Sequence, residues 1–336
     1  MAKKTLQTNL LMLLVAMIWG SALVAQRMGM DSTGPLLFSG LRFAMGALVI
    51  LPFLLYRRHA GIVQLPFFAP RLLAGGMLLG VLVTAGINLQ QTGLLLTSVS
   101  HAGFITGMYV LMVPLLGLLI GHHPAAGTWL GALLALAGLY LLSVEDGLRI
   151  ASGDWLQLAG AFCWALHVLL MGHLAKKHDP LRLALIQFVT CAVISLLAAL
   201  LLEPVSWSGI LGAGPALLYA GVLSVGVGFS LQAIALQHAR PAHAAIILSM
   251  EGVFAAVAAA LWLGESLPLR GYVGAALMVA GMLLAQLWPQ SRSSVSSAGS
   301  LPMPLDTPDG TRSIVPPAEC APAPGSAESS RPGNAG

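Results

Sequence analysis

Apolar residues run through this chain in long stretches, with the polar positions gathered between them. Ten stretches stand out, at roughly 9–28, 35–56, 71–93, 99–120, 127–144, 154–174, 181–202, 212–236, 241–263 and 269–287. About 20 apolar residues in a helix cross the hydrocarbon core of a bilayer. The pattern therefore predicts an all-α integral membrane protein with ten transmembrane helices, of which 127–144 is the shortest. The pattern stops at Trp288. From Pro289 to Gly336 the chain is rich in Pro, Ser, Ala and Gly and has no apolar run, so residues 288–336 are expected to form a disordered cytoplasmic tail.

The stretches repeat. Trp19 and Trp164 are 145 residues apart, as are Arg42-Phe43 and Gln187-Phe188. GINLQ (86–90) matches GFSLQ (228–232), SHAGFITGM (100–108) matches AHAAIILSM (242–250), and WLGALLALAGLYLL (129–142) matches YVGAALMVAGMLLA (272–285). Two five-helix halves follow, 9–144 and 154–287. Five is odd, so the second half is expected upside down relative to the first. Inverted repeats characterise secondary transporters, whose site lies near the midplane between the halves.

Composition and charge agree with this. The chain is 57% hydrophobic and 8% charged, against about 25% charged for a soluble domain. A net charge of +4 spread through loops gives no nucleic-acid surface. With the N-terminus inside, the inner loops and tails hold Lys3, Lys4, Arg57, Arg58, Arg71, Lys176, Lys177, Arg182, Arg240, Arg292, Arg312 and Arg331. The outer loops hold Arg27, Arg149 and Arg270. That bias places both termini in the cytoplasm. Cys163, Cys191 and Cys320 make neither a disulfide framework nor a metal site. The opening run resembles a signal peptide, but it is long and has a counterpart in mid-chain, so it is read as a span.

IWGSALVAQ (18–26), a helix starting LLFSGLRF (36–43), and MEGVFAAVAAALWLGE (250–265) resemble the drug/metabolite transporter superfamily, in particular its EamA-type repeat. The likeness runs over about residues 9–287. It implies a carrier of small metabolites, often amino acids and often an exporter, in the inner (plasma) membrane. Two departures stand out: Gly252 follows the intramembrane glutamate where relatives often have proline, and Gly264-Glu265 has Gly121-His122 in the matching place of the first half.

Several polar residues lie inside spans. Glu251 is about ten residues in from the inner end of its helix, about 15 Å deep at 1.5 Å per residue. A carboxyl at that depth is costly and points to function. It reads either as a proton-coupling group or substrate-amine contact, or as a packing hydrogen bond. Arg42 cannot shed its proton, so it snorkels, pairs or faces water, and it is a candidate anchor for a substrate carboxylate. Thr84, Asn88 and Gln91 share a helix face and line a wet pocket or bind neighbouring helices. Gln90 and Gln232 are repeat mates, read as holding the halves in register. His167 is a candidate proton relay with Glu251, and Trp19 and Trp164 are candidate cavity walls. His101 and His243, near helix starts, are read as capping or interfacial. Gly131, Gly138, Gly274 and Gly281 suit close packing, with a homodimer contact as one use.

Trp19, Arg42, Asn88, Gln91, Trp164 and Glu251 thus form the candidate substrate site, with Glu251 and His167 for proton coupling. The expected partners are a small metabolite, the lipid bilayer and protons, with no cofactor, metal or nucleic acid. The rival to proton-coupled transport is an uncoupled facilitator, followed by a non-transporting receptor or scaffold. An enzyme is disfavoured: there is no G-x-S-x-G elbow, no H-E-x-x-H and no paired aspartates in spans. A P-loop is absent too, so the chain itself is not an ATP-driven pump.

Overall fold

The computed structural model describes residues 2–61, 69–97, 99–143, 152–263 and 268–288. The tail from Pro289, the Gly264-Glu265 pair, Arg149 and the side chain of His101 lie outside the described residues. Every regular element among the described residues is a helix. The first half contains α1 (Ala2–Met30), α2 (Pro35–His59), α3 (Pro70–Leu94), α4 (Val99–Gly107), α5 (Tyr109–Leu119) and α6 (Ala126–Ser143). The second contains α7 (Ser152–Leu174), α8 (Pro180–Leu202), the short α9 (Trp207–Gly212) and α10 (Gly214–Leu218), a π-helical stretch (Tyr219–Phe229), α11 (Ser230–Leu236), α12 (Pro241–Leu248), α13 (Glu251–Leu263) and α14 (Leu269–Leu287).

Among the described residues nine helical runs are long and apolar enough to cross a membrane, and Ala126–Leu142 is apolar but shorter. Local chemistry sets many boundaries. Proline opens α2, α3, α8 and α12, where its missing N–H costs nothing. Gly121, after α5, sits at φ 78°, a left-handed ending that a side chain resists.

The apolar pattern did not show where helices break. The expected span 99–120 is two helices meeting at Met108, and 241–263 is two meeting at Ser249-Met250. Met108 and Met250 are repeat mates, and each donates its N–H three residues back, to Ile105 and Ile247 at 3.1 Å. The expected span 212–236 carries eleven residues of π-helix, while its counterpart α3 is regular. π geometry inside a helix often marks a functional site.

The halves interlock. α2 packs on α8 and α6 on α14, each pair being repeat mates. α3 packs on α7 and α8, while its counterpart, the π stretch, packs on α1 and α2. Glycines let the backbones meet. A Cβ on Gly131 would lie 2.6 Å from the Gly281 carbonyl, and one on Gly138 would overlap that of Gly274. The reversed order of contacts makes α6 and α14 antiparallel. α3 and α7 repeat the device, with Gly93 against Gly153 and Gly86 against Gly160. The α6 and α14 glycines, read from sequence as a candidate dimer contact, are therefore used within the chain.

The α2–α8 pair is clasped at both ends. Glu203, closing α8, accepts the N–H groups of Leu36 and Leu37 at the start of α2, both at 2.8 Å. Asp179 caps α8 through Leu181 N and Arg182 N and pairs with Arg57, near the end of α2, at 3.1 Å. Each acid sits where a helix N-terminus leaves donors unmet.

Glu203→Ala is expected to lower stability by about 1 kcal/mol, the worth of a helix cap. Thermal unfolding in detergent checks this; an unchanged midpoint contradicts it. Gly138→Val is expected to cost about 1–3 kcal/mol by overpacking, read as a lower midpoint in the same assay. An unshifted midpoint would show that α6 and α14 can separate freely.

Candidate functional site

Two repeat-mate tryptophans are seated on two repeat-mate glycines. A Cβ on Gly228 would come within 2.7 Å of Trp19 Nε1, and one on Gly86 within 3.3 Å of the Trp164 ring. Trp19 Nε1 donates to the Ser224 carbonyl in the π stretch at 3.2 Å. Phe229, the last residue of that stretch, is the hub. Its ring lies 4.7 Å from Trp19, 5.6 Å from Phe43, 5.9 Å from Trp164 and 6.1 Å from Phe188, centroid to centroid. These are tilted and edge-on contacts of the favourable range.

Trp19, Trp164 and Phe229 wall a narrow cavity of about 60 Å³, room for a few waters. Arg42, Gln90, Thr106, Tyr109, Gln232 and Glu251 supply its polar lining. A second chamber of about 30 Å³ adjoins it, sharing Gln26, Gln90, Thr106 and Glu251 and adding Gln91. Both halves contribute.

Glu251 is the first residue of α13, at the helix break, and borders both chambers. The helix dipole favours negative charge there. Its repeat mate Tyr109, the first residue of α5 after the other break, borders the main chamber. Gly20 holds α1 against the break: a Cβ there would overlap the Glu251 carbonyl oxygen.

Arg42 is 2% exposed, with its guanidinium 5.7 Å from the Phe38 centroid and 5.5 Å from that of Phe43. Such stacking suits a desolvated arginine. Its Nε and Nη2 have no hydrogen-bond partner among the described residues. No ion pair joins Arg42 to Glu251 among the described residues. The cavity thus presents a guanidinium and a carboxyl that do not neutralise each other by direct contact.

Amides hold the rest of the wall. Gln91 Nε2 donates to Gln26 Oε1 at 2.7 Å. Gln90 Nε2 donates to Thr106 Oγ1 at 3.3 Å, Thr106 to Gln157 Oε1 at 3.0 Å, and Gln157 Nε2 back to the Gln90 carbonyl at 2.8 Å. In lipid such groups need internal partners; the ring supplies them to Gln90, Thr106 and Gln157, while Gln91 Oε1 and Gln232 Oε1 have none among the described residues.

Of the residues singled out from sequence, the structure brings Trp19, Arg42, Trp164 and Glu251 to the main chamber and Gln91 to the second. It does not bring Asn88 or His167 to either lining. Asn88 faces α8, donating to the Thr84 carbonyl and to Ser195 Oγ at 2.8 Å. α3 is wedged between α7, α8 and α4, so positions a turn apart meet different neighbours. His167 is fully buried, and its Nε2–H donates to Gln187 Oε1 at 2.9 Å. Gln90 and Gln232, read as register residues, line the main chamber. Gln26, Thr106, Tyr109, Ser224 and Phe229 were missed. Tyr109 could have been found, because it follows Met108 as Glu251 follows Met250. No group of three or more metal-ligating side chains occurs among the described residues.

The wider comparisons agree with this architecture. A protein named "Uncharacterized transporter" from Archaeoglobus fulgidus is 29% identical over 289 residues, covering 84% of this chain and 87% of its own. The Escherichia coli "Threonine/homoserine exporter RhtA" is 30% identical over 174 residues, 48% of this chain and 55% of its own. A solved structure titled "Crystal structure of protein" superposes with a TM-score of 0.73 at 20% identity, covering 84% of this chain and 99% of that one, and so shares the fold. The sequence pattern of the EamA-like transporter family matches residues 6–144 and again 151–287. This chain, a multi-pass membrane protein built on that pattern twice, belongs to the EamA-like transporter family.

Proposed function

We propose that this protein is a secondary transporter that exports amino acids or related small zwitterions across the inner (plasma) membrane by alternating access. In this reading ten spans form two inverted five-helix halves, with both termini in the cytoplasm. Bundles of helices tied across the halves rock against one another around a fixed site. The observation that carries the reading is the cavity walled by both halves where the two broken helices meet, with Glu251 at one break.

The unpaired charges suggest the solute. Arg42 offers a guanidinium to a carboxylate, and Glu251 a carboxyl to an ammonium. Trp19, Trp164 and Phe229 give the remainder of the solute an aromatic wall. The name of the relative RhtA supports an amino-acid substrate. Glu251 also serves as the proton-coupling group, since a carboxyl reached alternately from each side can carry a proton one way and solute the other. An uncoupled facilitator is the second reading. It is favoured by the position of His167, which lies outside the cavity lining and offers Glu251 no visible relay.

The test is flux in proteoliposomes, with labelled amino acids and amines and an imposed pH gradient. Gradient-dependent accumulation is expected, and Glu251→Gln is expected to abolish it while the protein still inserts. Accumulation that survives in the variant removes Glu251 from coupling; equilibration that ignores the gradient supports the facilitator. Arg42→Gln is expected to raise the half-saturating concentration of carboxylate-bearing solutes about 10- to 100-fold, the worth of a charged hydrogen bond. It should leave amines without a carboxylate almost unaffected. Equal losses for both classes would contradict the assignment of Arg42.

A further inference from the structure

A second concavity lies away from the central cavity, where α2, α7, α8 and α11 approach one end of the bundle. It measures about 480 Å³. One wall is basic: Arg57, Lys176, Lys177 and His178. The other is apolar and belongs to the spans themselves, through Phe53 and Ile234. Phe53 is 53% exposed on the outer face of α2, beside Tyr56 at 68%.

Charge in this pocket is not balanced from within. Its acid, Asp179, is fully engaged: Oδ1 accepts from Leu181 N and Arg182 N, and Oδ2 pairs with Arg57. That pair also fixes the guanidinium, which lies 6.0 Å from the Phe53 ring centroid. Lys176 and Lys177 are exposed, and Lys177 Nζ donates to His173 Nε2 at 2.9 Å, so no described carboxylate offsets either lysine. Excess positive charge therefore sits in a depression whose floor continues into lipid-facing side chains.

The geometry points to a binding site for the headgroup of an anionic phospholipid in this pocket, with phosphate against Lys176, Lys177 and Arg57 and the first acyl carbons along Phe53 and Ile234. Basic pockets between membrane helices take such headgroups. A soluble polyanion would satisfy the lysines but leave Phe53 and Ile234 in water, whereas a phospholipid matches both walls at once. The site requires that the chain spans a membrane, and does not depend on what it transports.

The test uses the purified full-length protein in detergent, titrated with dioleoylphosphatidylglycerol and followed by native mass spectrometry and thermal unfolding. Dioleoylphosphatidylcholine and inorganic phosphate are the comparison ligands. Phosphatidylglycerol is expected to bind more tightly than either. Lys176→Gln/Lys177→Gln is expected to weaken that binding roughly ten- to thirtyfold. The charge-matched Lys3→Gln/Lys4→Gln protein, altered at the start of α1, should bind as the parent does. Equal weakening in both double variants would overturn the site by showing general attraction to a positive surface. Phosphatidylcholine binding as well as phosphatidylglycerol, or inorganic phosphate competing as well as the lipid, would also overturn it. Unfolding midpoints without lipid separate lost binding from lost folding.

Discussion

Everything in this structure depends on one constraint: within hydrocarbon, each backbone N–H and C=O must find a partner inside the protein. An interrupted helix is tolerated only where protein or a polar cavity takes up the freed groups. Here the interruptions converge. The breaks at Met108 and Met250 and the π-helical stretch all border the same central cavity, through Tyr109, Glu251, Ser224 and Phe229. The Ser224 carbonyl is taken by the Trp19 indole, so the irregular backbone and the aromatic wall form one feature. The breaks also set Glu251 and Tyr109 at the starts of helices, where the dipole favours negative charge.

Around that centre the bundle is held by close contact. Lipid tails give helices little hydrophobic reason to associate, so backbone approach and polar ties must do the work. The glycine pairs of α6–α14 and α3–α7 bring carbonyls to within a methyl's width of the neighbouring helix. Glu203 and Asp179 fasten α2 to α8 at both ends. Each of these ties joins a helix of the first half to one of the second, so the two halves are fastened to each other around a narrow centre lined from both.

Much of the fold was legible in the sequence, because long apolar runs have few alternatives in lipid. The segments 35–56, 71–93 and 181–202 match α2, α3 and α8 to within a few residues. The breaks were not legible. Met108 and Met250 are ordinary helix formers inside apolar runs, and only tertiary context interrupts them. Of the cavity lining, Glu251, Arg42 and the two tryptophans could be read because charge or bulk in a span is conspicuous. Asn88 looked equivalent to Gln91 on a helical wheel, but the packing of α3 sends one to α8 and the other to Gln26 on α1. Phe229 was invisible because an apolar residue in an apolar run carries no signal of its own. The α6 and α14 glycines announced close packing, but not that each helix was the partner of the other.

We propose that solute passes through the cavity between the two broken helices. The most direct test is chemical access to Ser224→Cys in protein whose Cys163, Cys191 and Cys320 are replaced by serine. The rate of modification by a membrane-impermeant methanethiosulfonate would be followed with and without a panel of amino acids. The reagent is expected to reach position 224, buried though Ser224 is in this conformation, and a transported amino acid is expected to slow the reaction. Modification that no solute slows, or no modification in a folded and active protein, would contradict it.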